Sequence, residues 1–284
     1  MKFLNCMVVF CCLVLMVGCN DSGSGGTSTG AGATSAGEFS IETNVGNAFS
    51  TIFDRKVEVF GIPVYAVPGV GDDRLLHAAN IMAQYLDNDE DGVADNQQVL
   101  SEMQGAGAML AMWKTESDLD SFDEAAGTTA QDLGNDETHP EWHLNGHTGE
   151  FDAALEEVWH LITHAGYAKA YPNIFGEEPG SLLADAMDIA RGGQFGSVPS
   201  LYPVGAWFTY DDVTCDYPCM ATEYFYWTMT SVLGAQENRA GEIAHEWALN
   251  TRALVEFGDK AVYDLITDPQ YSLPTMLPDG SYRR

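Results

Sequence analysis

The chain has 284 residues, 42 of them acidic and 12 basic, giving a formal charge of −30 at neutral pH. That excess repels phosphate backbones and anionic headgroups, which excludes nucleic acid as a partner and favours solubility and divalent cations. Only Cys215 and Cys219 lie beyond residue 19, so a disulfide-rich scaffold is excluded as well.

After Lys2 an apolar run from Cys6 to Val17 leads into Met16-Val17-Gly18-Cys19, which resembles the bacterial lipobox. The run is too short for a comfortable span of about 20 residues, and residues 1–18 read as a cleaved signal peptide. The resemblance implies that Cys19 is lipidated, becomes the mature N-terminus and anchors the chain to the cell envelope without crossing the bilayer. Residues 19–40 are mostly small and polar, with no apolar period. They read as a flexible tether that cannot bury enough surface to order itself. Residues 41–284 then form a single globular domain, expected to be monomeric.

From Lys56 to Pro68, two β-branched and aromatic segments broken by Gly61 predict two short strands. Asp72 and Asp73 are expected to cap a helix through Leu86 with apolar residues at helical spacing, and His77 lies on this helix. The next stretch, Asp87-Asn88-Asp89-Glu90-Asp91-Gly92-Val93-Ala94-Asp95, resembles the calcium loop of EF-hands. A hard cation takes six to eight oxygens, and alternating aspartates with a glycine at the sharp turn supply them. The resemblance assigns Ca2+ to the side chains of Asp87, Asp89, Asp91 and Asp95 and the carbonyl of Val93. Gln98 stands at the twelfth position, where a regulatory EF-hand carries a bidentate glutamate, so a structural clamp is expected in place of a switch.

A helix follows from Asn96 to Met103, then a buried strand within Gly105–Trp113, with a short helix as the alternative from its alanines, and an acidic helix over Ser117–Ala126. Thr128–Pro140 reads as a loop. His139, His143 and His147 recur at four-residue spacing, but Pro140 and Gly146 argue for an edge strand or irregular loop.

Glu150–Tyr167 is the expected chemical centre. At 100° per residue, Glu157, His160 and His164 fall within about 60° of one another, while Val158, Leu161 and Ile162 occupy an apolar arc. Beyond it, Ser181 caps a helix through Arg191, and Cys215 and Cys219 are expected to form a local disulfide, the competing reading being a pair of soft metal ligands. A helix from Met220 to Leu233 carries Glu223 beside an aromatic run. Gly241–Asn250 and Arg252–Ile266 give further helices, and the tail from Pro269 reads as a strap.

His160-Leu161-Ile162-Thr163-His164 has the His-x-x-x-His spacing of the zincin peptidases, in which two imidazoles one turn apart bind zinc. The resemblance implies a mixed sheet backed by helices, a transition metal (Zn2+, or Cu or Fe) on His160, His164, Glu157 and Glu223, and hydrolysis. Leu161 replaces the glutamate that activates water in those enzymes, so Glu157, or Glu156 beside it, takes that role. Glu157-x-x-His160 also recurs as Glu242-x-x-His245, the pairing of carboxylate-bridged di-iron bundles. The non-catalytic alternative is copper or zinc capture, or a surface interaction with a peptide or other ligand. With its LDNDEDG loop, EEVWHLITHAGY helix and TEYFYW helix, the mature chain resembles a group of exported bacterial lipoproteins. That likeness implies one shared architecture and no particular mechanism. The expected fold class is α+β and helix-rich, with a mostly α fold as the alternative.

Overall fold

The computed structural model describes residues 39–46, 48–122 and 129–283. The expected signal peptide, the expected lipidation at Cys19 and the expected tether up to residue 38 lie outside the described residues.

The domain is α+β: one four-stranded sheet of order β1-β2-β3-β4 surrounded by helices. β1 (Arg55–Val59) and β2 (Ile62–Ala66) form an antiparallel hairpin in which Val59 pairs with Ile62. The two-residue turn has positive φ at both Phe60 (49°) and Gly61 (80°), the conformation whose twist matches the flanking strands. β3 (Met109–Trp113) runs parallel to β2, and β4 (Ala130–Gly134) parallel to β3. Parallel neighbours need a crossover. Between β2 and β3 it is made by α1 (Asp72–Leu86), the acidic loop and α2 (Gln97–Gly105).

β4 falls where a loop is expected. Its burial rises only at its end, at Leu133 and Gly134, so an edge strand with polar residues leaves no apolar alternation to read. Gly71 is the N-cap of α1, and Asp72 and Asp73 lie in its first turn rather than capping it. The acidic segment at 117–126 is helical over α3 (Glu116–Leu119). The histidine-rich stretch holds a short helix, α4 (Pro140–Leu144), instead of an edge strand or loop. Pro140 sits at its first position, where the missing N–H is no loss.

The central helix is α5 (Ala154–Ile162), whose residues from Leu155 to Ile162 are buried apart from Glu156. It packs on α1, on β3 and β4 and on the long helix α9. At its end the helix widens into a π turn, Thr163–Tyr167, before α6 (Ala168–Ala170). Gly166 of that turn faces α2 so closely that a Cβ would lie 2.6 Å from Val99 Cγ1. Only glycine permits that approach.

α7 (Pro172–Phe175) and α8 (Leu182–Arg191) follow, the latter capped by the Ser181 hydroxyl. The Cys215–Cys219 disulfide is formed. It brackets the first turn of α9 (Tyr217–Leu233), where Asp216 caps the Cys219 N–H. The segment at 241–250 is helical only over α10 (Ala240–Ile243). The long helix expected over 252–266 is two, α11 (Arg252–Gly258) and α12 (Lys260–Ile266). Asp259 breaks the run with non-helical dihedrals (φ −138°, ψ 67°), and its side chain caps the second piece. Among the described residues no helix is long and apolar enough to cross a membrane.

The tail is a strap laid back across the acidic loop. Asn88 Oδ1 accepts the N–H groups of Thr275 and Met276, the Tyr282 hydroxyl donates to Asp87, and Glu90 accepts the Arg283 N–H. Each is an obligatory backbone or buried polar group, so the loop and the tail order one another.

Candidate metal centre

His160 is 3% exposed, and carboxylates face both edges of its ring. Glu157 Oε2, from one turn earlier on α5, lies 3.6 Å from Nδ1; Glu223 Oε1, from α9, lies 3.5 Å from Nε2. Glu156, Glu157 and His160 each bring one donor atom within 4.8 Å of the others. The pairing of α5 with α9 thus assembles three carboxylates around one imidazole.

The charges within this cluster are poorly matched. Burial, then Glu157, push the Glu156 carboxyl up to about 7, although Tyr226 hydrogen-bonds to it. Burial, then Glu156 and Glu157, hold Glu223 far above the usual carboxylate range, and its Oε2 is buried without a hydrogen-bond partner among the described residues. Glu157 is raised by burial and then by Asp132 and Glu137, while Gln131 Nε2 donates to its Oε2. Burial lowers His160 to about 4, leaving it a neutral imidazole at physiological pH. The cation acting on Glu156 is Arg239, itself bonded to Glu242 (2.6 Å) and Gln236 (2.9 Å) and stacked over Phe151. A site that crowds carboxylates beyond their available countercharge suits a divalent cation.

His164, expected as the second imidazole, belongs to the π turn and is turned elsewhere. Its side chain is 48% exposed, and its Nδ1 lies 2.8 Å from Glu177, which also accepts from the Thr222 hydroxyl. It flanks the cluster without joining it. Glu223, expected as a ligand from a later helix, is brought in. Glu242 is held by Arg239, and His245 is exposed beside Glu246 and Asp211, so the di-iron pairing does not assemble.

In the acidic loop, Asp87, Asp89 and Asp95 converge to within 4.8 Å. Asp91 instead accepts the Val93 N–H through Oδ1 (2.8 Å), and Val93 is exposed. Gly92 (φ 88°) supplies the sharp turn and donates to Asp87 Oδ2. Burial, with the like charges of Asp89, Asp87 and Asp91, raises Asp95 against the N–H bond from Asn88. Gln98 lies on α2 and donates its side-chain amide to the Ala170 carbonyl (2.8 Å), outside the converging oxygens.

Tyr226, Arg239 and Gln131 surround the cluster unannounced by any motif. Their types are ordinary, and their placement depends on how α9, α10 and β4 dock against α5. Comparison with protein-family models, with curated proteins and with solved structures returned no match.

Proposed function

We propose that this chain is an exported, lipid-anchored hydrolase that depends on a divalent transition metal and is braced by calcium at the 87–95 loop. The observation that carries the reading is the convergence of half-buried Glu156 and buried Glu157 and Glu223 on the neutral ring of His160, with Arg239 as a cation acting on Glu156. The donor set, one imidazole and several carboxylates, suits zinc or iron. A ligating histidine holds its second nitrogen against a carboxylate or carbonyl. Glu157 occupies that place at Nδ1 and leaves Nε2, on the Glu223 side, as the ligating atom.

The bound ion would supply Lewis acidity. Glu156 is the group fitted to move a proton: it keeps partial exposure, and a carboxyl near 7 exchanges protons readily at neutral pH. Tyr226 orients it, and Arg239 limits how far its charge is disfavoured. Glu157, expected from the sequence as the base, is the better positioning residue because Gln131 and the His160 ring hold it inward. A second reading, metal held without turnover, draws on one observation: Glu223 is 1% exposed, which leaves a substrate little access.

The test is elemental analysis of the purified protein after dialysis, with His160→Ala as its partner. Loss of about one equivalent of zinc, copper or iron in the variant is expected. Calcium alone in the parent protein would overturn the reading. With metal retained, abolition of hydrolysis across an ester and peptide panel by Glu156→Gln, metal content unchanged, marks an enzyme. An inactive parent that retains its metal marks a carrier.

A further inference from the structure

Three side chains from distant parts of the chain meet at a second point, away from His160. Asp152 is fully buried just before α5, and its Oδ1 accepts the backbone N–H groups of His139 (2.9 Å) and Ala154 (3.4 Å). Its other oxygen, Oδ2, lies 2.7 Å from His77 Nε2 on α1 and 2.9 Å from His143 Nε2 on α4. The side chains of His77 and His143 are 6% and 4% exposed. His143 Nδ1 is buried with no hydrogen-bond partner among the described residues. The His77 ring is closed off by the C-terminal strap: a Cβ on Gly280 would lie 2.1 Å from His77 Nδ1. Gln84 pins the strap there by accepting the N–H groups of Asp279 and Gly280.

We propose that His77 Nε2, His143 Nε2 and Asp152 Oδ2 form a second metal site, for a zinc-class divalent ion, independent of the His160 cluster and sealed by the strap. Two imidazole nitrogens and one carboxylate oxygen are a donor set for borderline ions. Tetrahedral bonds of about 2.0–2.1 Å separate ligand atoms by about 3.3 Å, so each ring needs to withdraw by about half an ångström from its present approach. The backbone amides on Oδ1 keep the carboxylate from rotating and leave Oδ2 presented, the orienting role of an outer shell. Charge points the same way. With neutral imidazoles the site holds one buried negative charge, and Arg74, whose field reaches Asp152, is already paired with Glu141 at 2.8 Å. A divalent ion compensates that charge. It also crosslinks α1, α4 and the start of α5, which the local Cys215–Cys219 bridge cannot do. Binding at a site made from distant segments adds directly to folding stability.

The experiment titrates zinc into the full chain, stripped of transition metals and resupplied with calcium. About two equivalents are expected in the parent and about one in each of His160→Ala and His143→Gln. Cobalt in His160→Ala should give the intense visible bands of a low-coordinate site, and these should vanish in the double variant. Zinc should raise the melting temperature of His160→Ala and leave the double variant unmoved. Zinc uptake unchanged by His143→Gln would overturn the proposal and leave a hydrogen-bonded triad only, as would a His160→Ala protein that takes up none. A single equivalent lost with His143→Gln but kept in His160→Ala would support this site and overturn the reading of His160. If His143→Gln does not fold, the imidazole nitrogen NMR resonances of His77 and His143 in His160→Ala decide: zinc-dependent shifts support the site, and none overturns it.

Discussion

Asp152 is fully buried and Glu156, four residues on, is half-buried, yet their carboxyls respond in opposite directions. Burial raises both. At Asp152, hydrogen bonds from His143 and His77 outweigh it and hold the acid well below its ordinary range. At Glu156 the neighbours are more carboxylates, and the group is pushed up to about 7. One cluster has two imidazoles for one carboxylate, the other one imidazole for three. Burial amplifies whichever interaction is present, so the ratio of donors to acceptors decides whether a carboxylate is held ionised or is pushed towards its protonated form.

The largest effect should come from breaking the matched cluster. In transition-metal-free protein with calcium present, Asp152→Ala strands two buried imidazoles and the His139 N–H, and is expected to lose about 3–5 kcal/mol of stability. Urea denaturation measures it, and a loss below about 1 kcal/mol would show that the triad is not an anchor.

The pH profile sharpens the contrast next. A raised carboxyl binds its proton more tightly in the folded state than in the unfolded one. Its favourable contribution is therefore present below about 4.5 and is lost as pH rises towards the folded value of about 7. Metal-free protein should lose at most about 3 kcal/mol over that window from Glu156, and zinc, which replaces the proton, should flatten the profile. Asp152 acts in the reverse sense: its contribution is present above about 3.8 and is lost as pH falls through its depressed folded value. Denaturation midpoints that do not change between these limits in chelated protein would remove the mismatch from the argument.

The smallest effect is the mirror of the first. Glu223→Gln takes a crowded carboxylate out of the other cluster, so metal-free stability should hold or rise by about 1 kcal/mol, while the stabilisation by zinc at His160 is lost. A calorimetric melt with and without zinc reads both halves. Destabilisation of the metal-free variant by several kcal/mol would mean that Glu223 is an anchor after all.

The sequence's successes and failures follow the range of the forces involved. The hairpin at Gly61, the helix capped by Ser181 and the acidic turn closed at Gly92 are governed by local dihedral and capping preferences, and each stands where the local residue pattern placed it. β4 is illegible because its polar residues find their partners on distant elements: Gln131 meets Glu157 of α5, and Asp132 accepts from Trp113 of β3. The regular spacing of His139, His143 and His147 carried no usual meaning either. His143 meets Asp152, His139 offers that carboxylate its backbone N–H, and His147 stacks on Trp142 with ring centroids 4.4 Å apart. Asp152 itself shows no signal, being one acid among 42 acidic residues.

By itself the sequence determined the α+β class, the Cys215–Cys219 bridge and the helix carrying Glu157 and His160, because each depends on residues within a few turns of one another. Tertiary structure alone decided that His164 leaves that face for Glu177 and that His77 and His143 share Asp152, and it brought Glu223, already expected as a ligand, to His160. These meetings span up to 75 positions along the chain. They are set by how α1, α5 and α9 pack, a choice made by buried apolar area that carries no record of which polar atoms it will bring together.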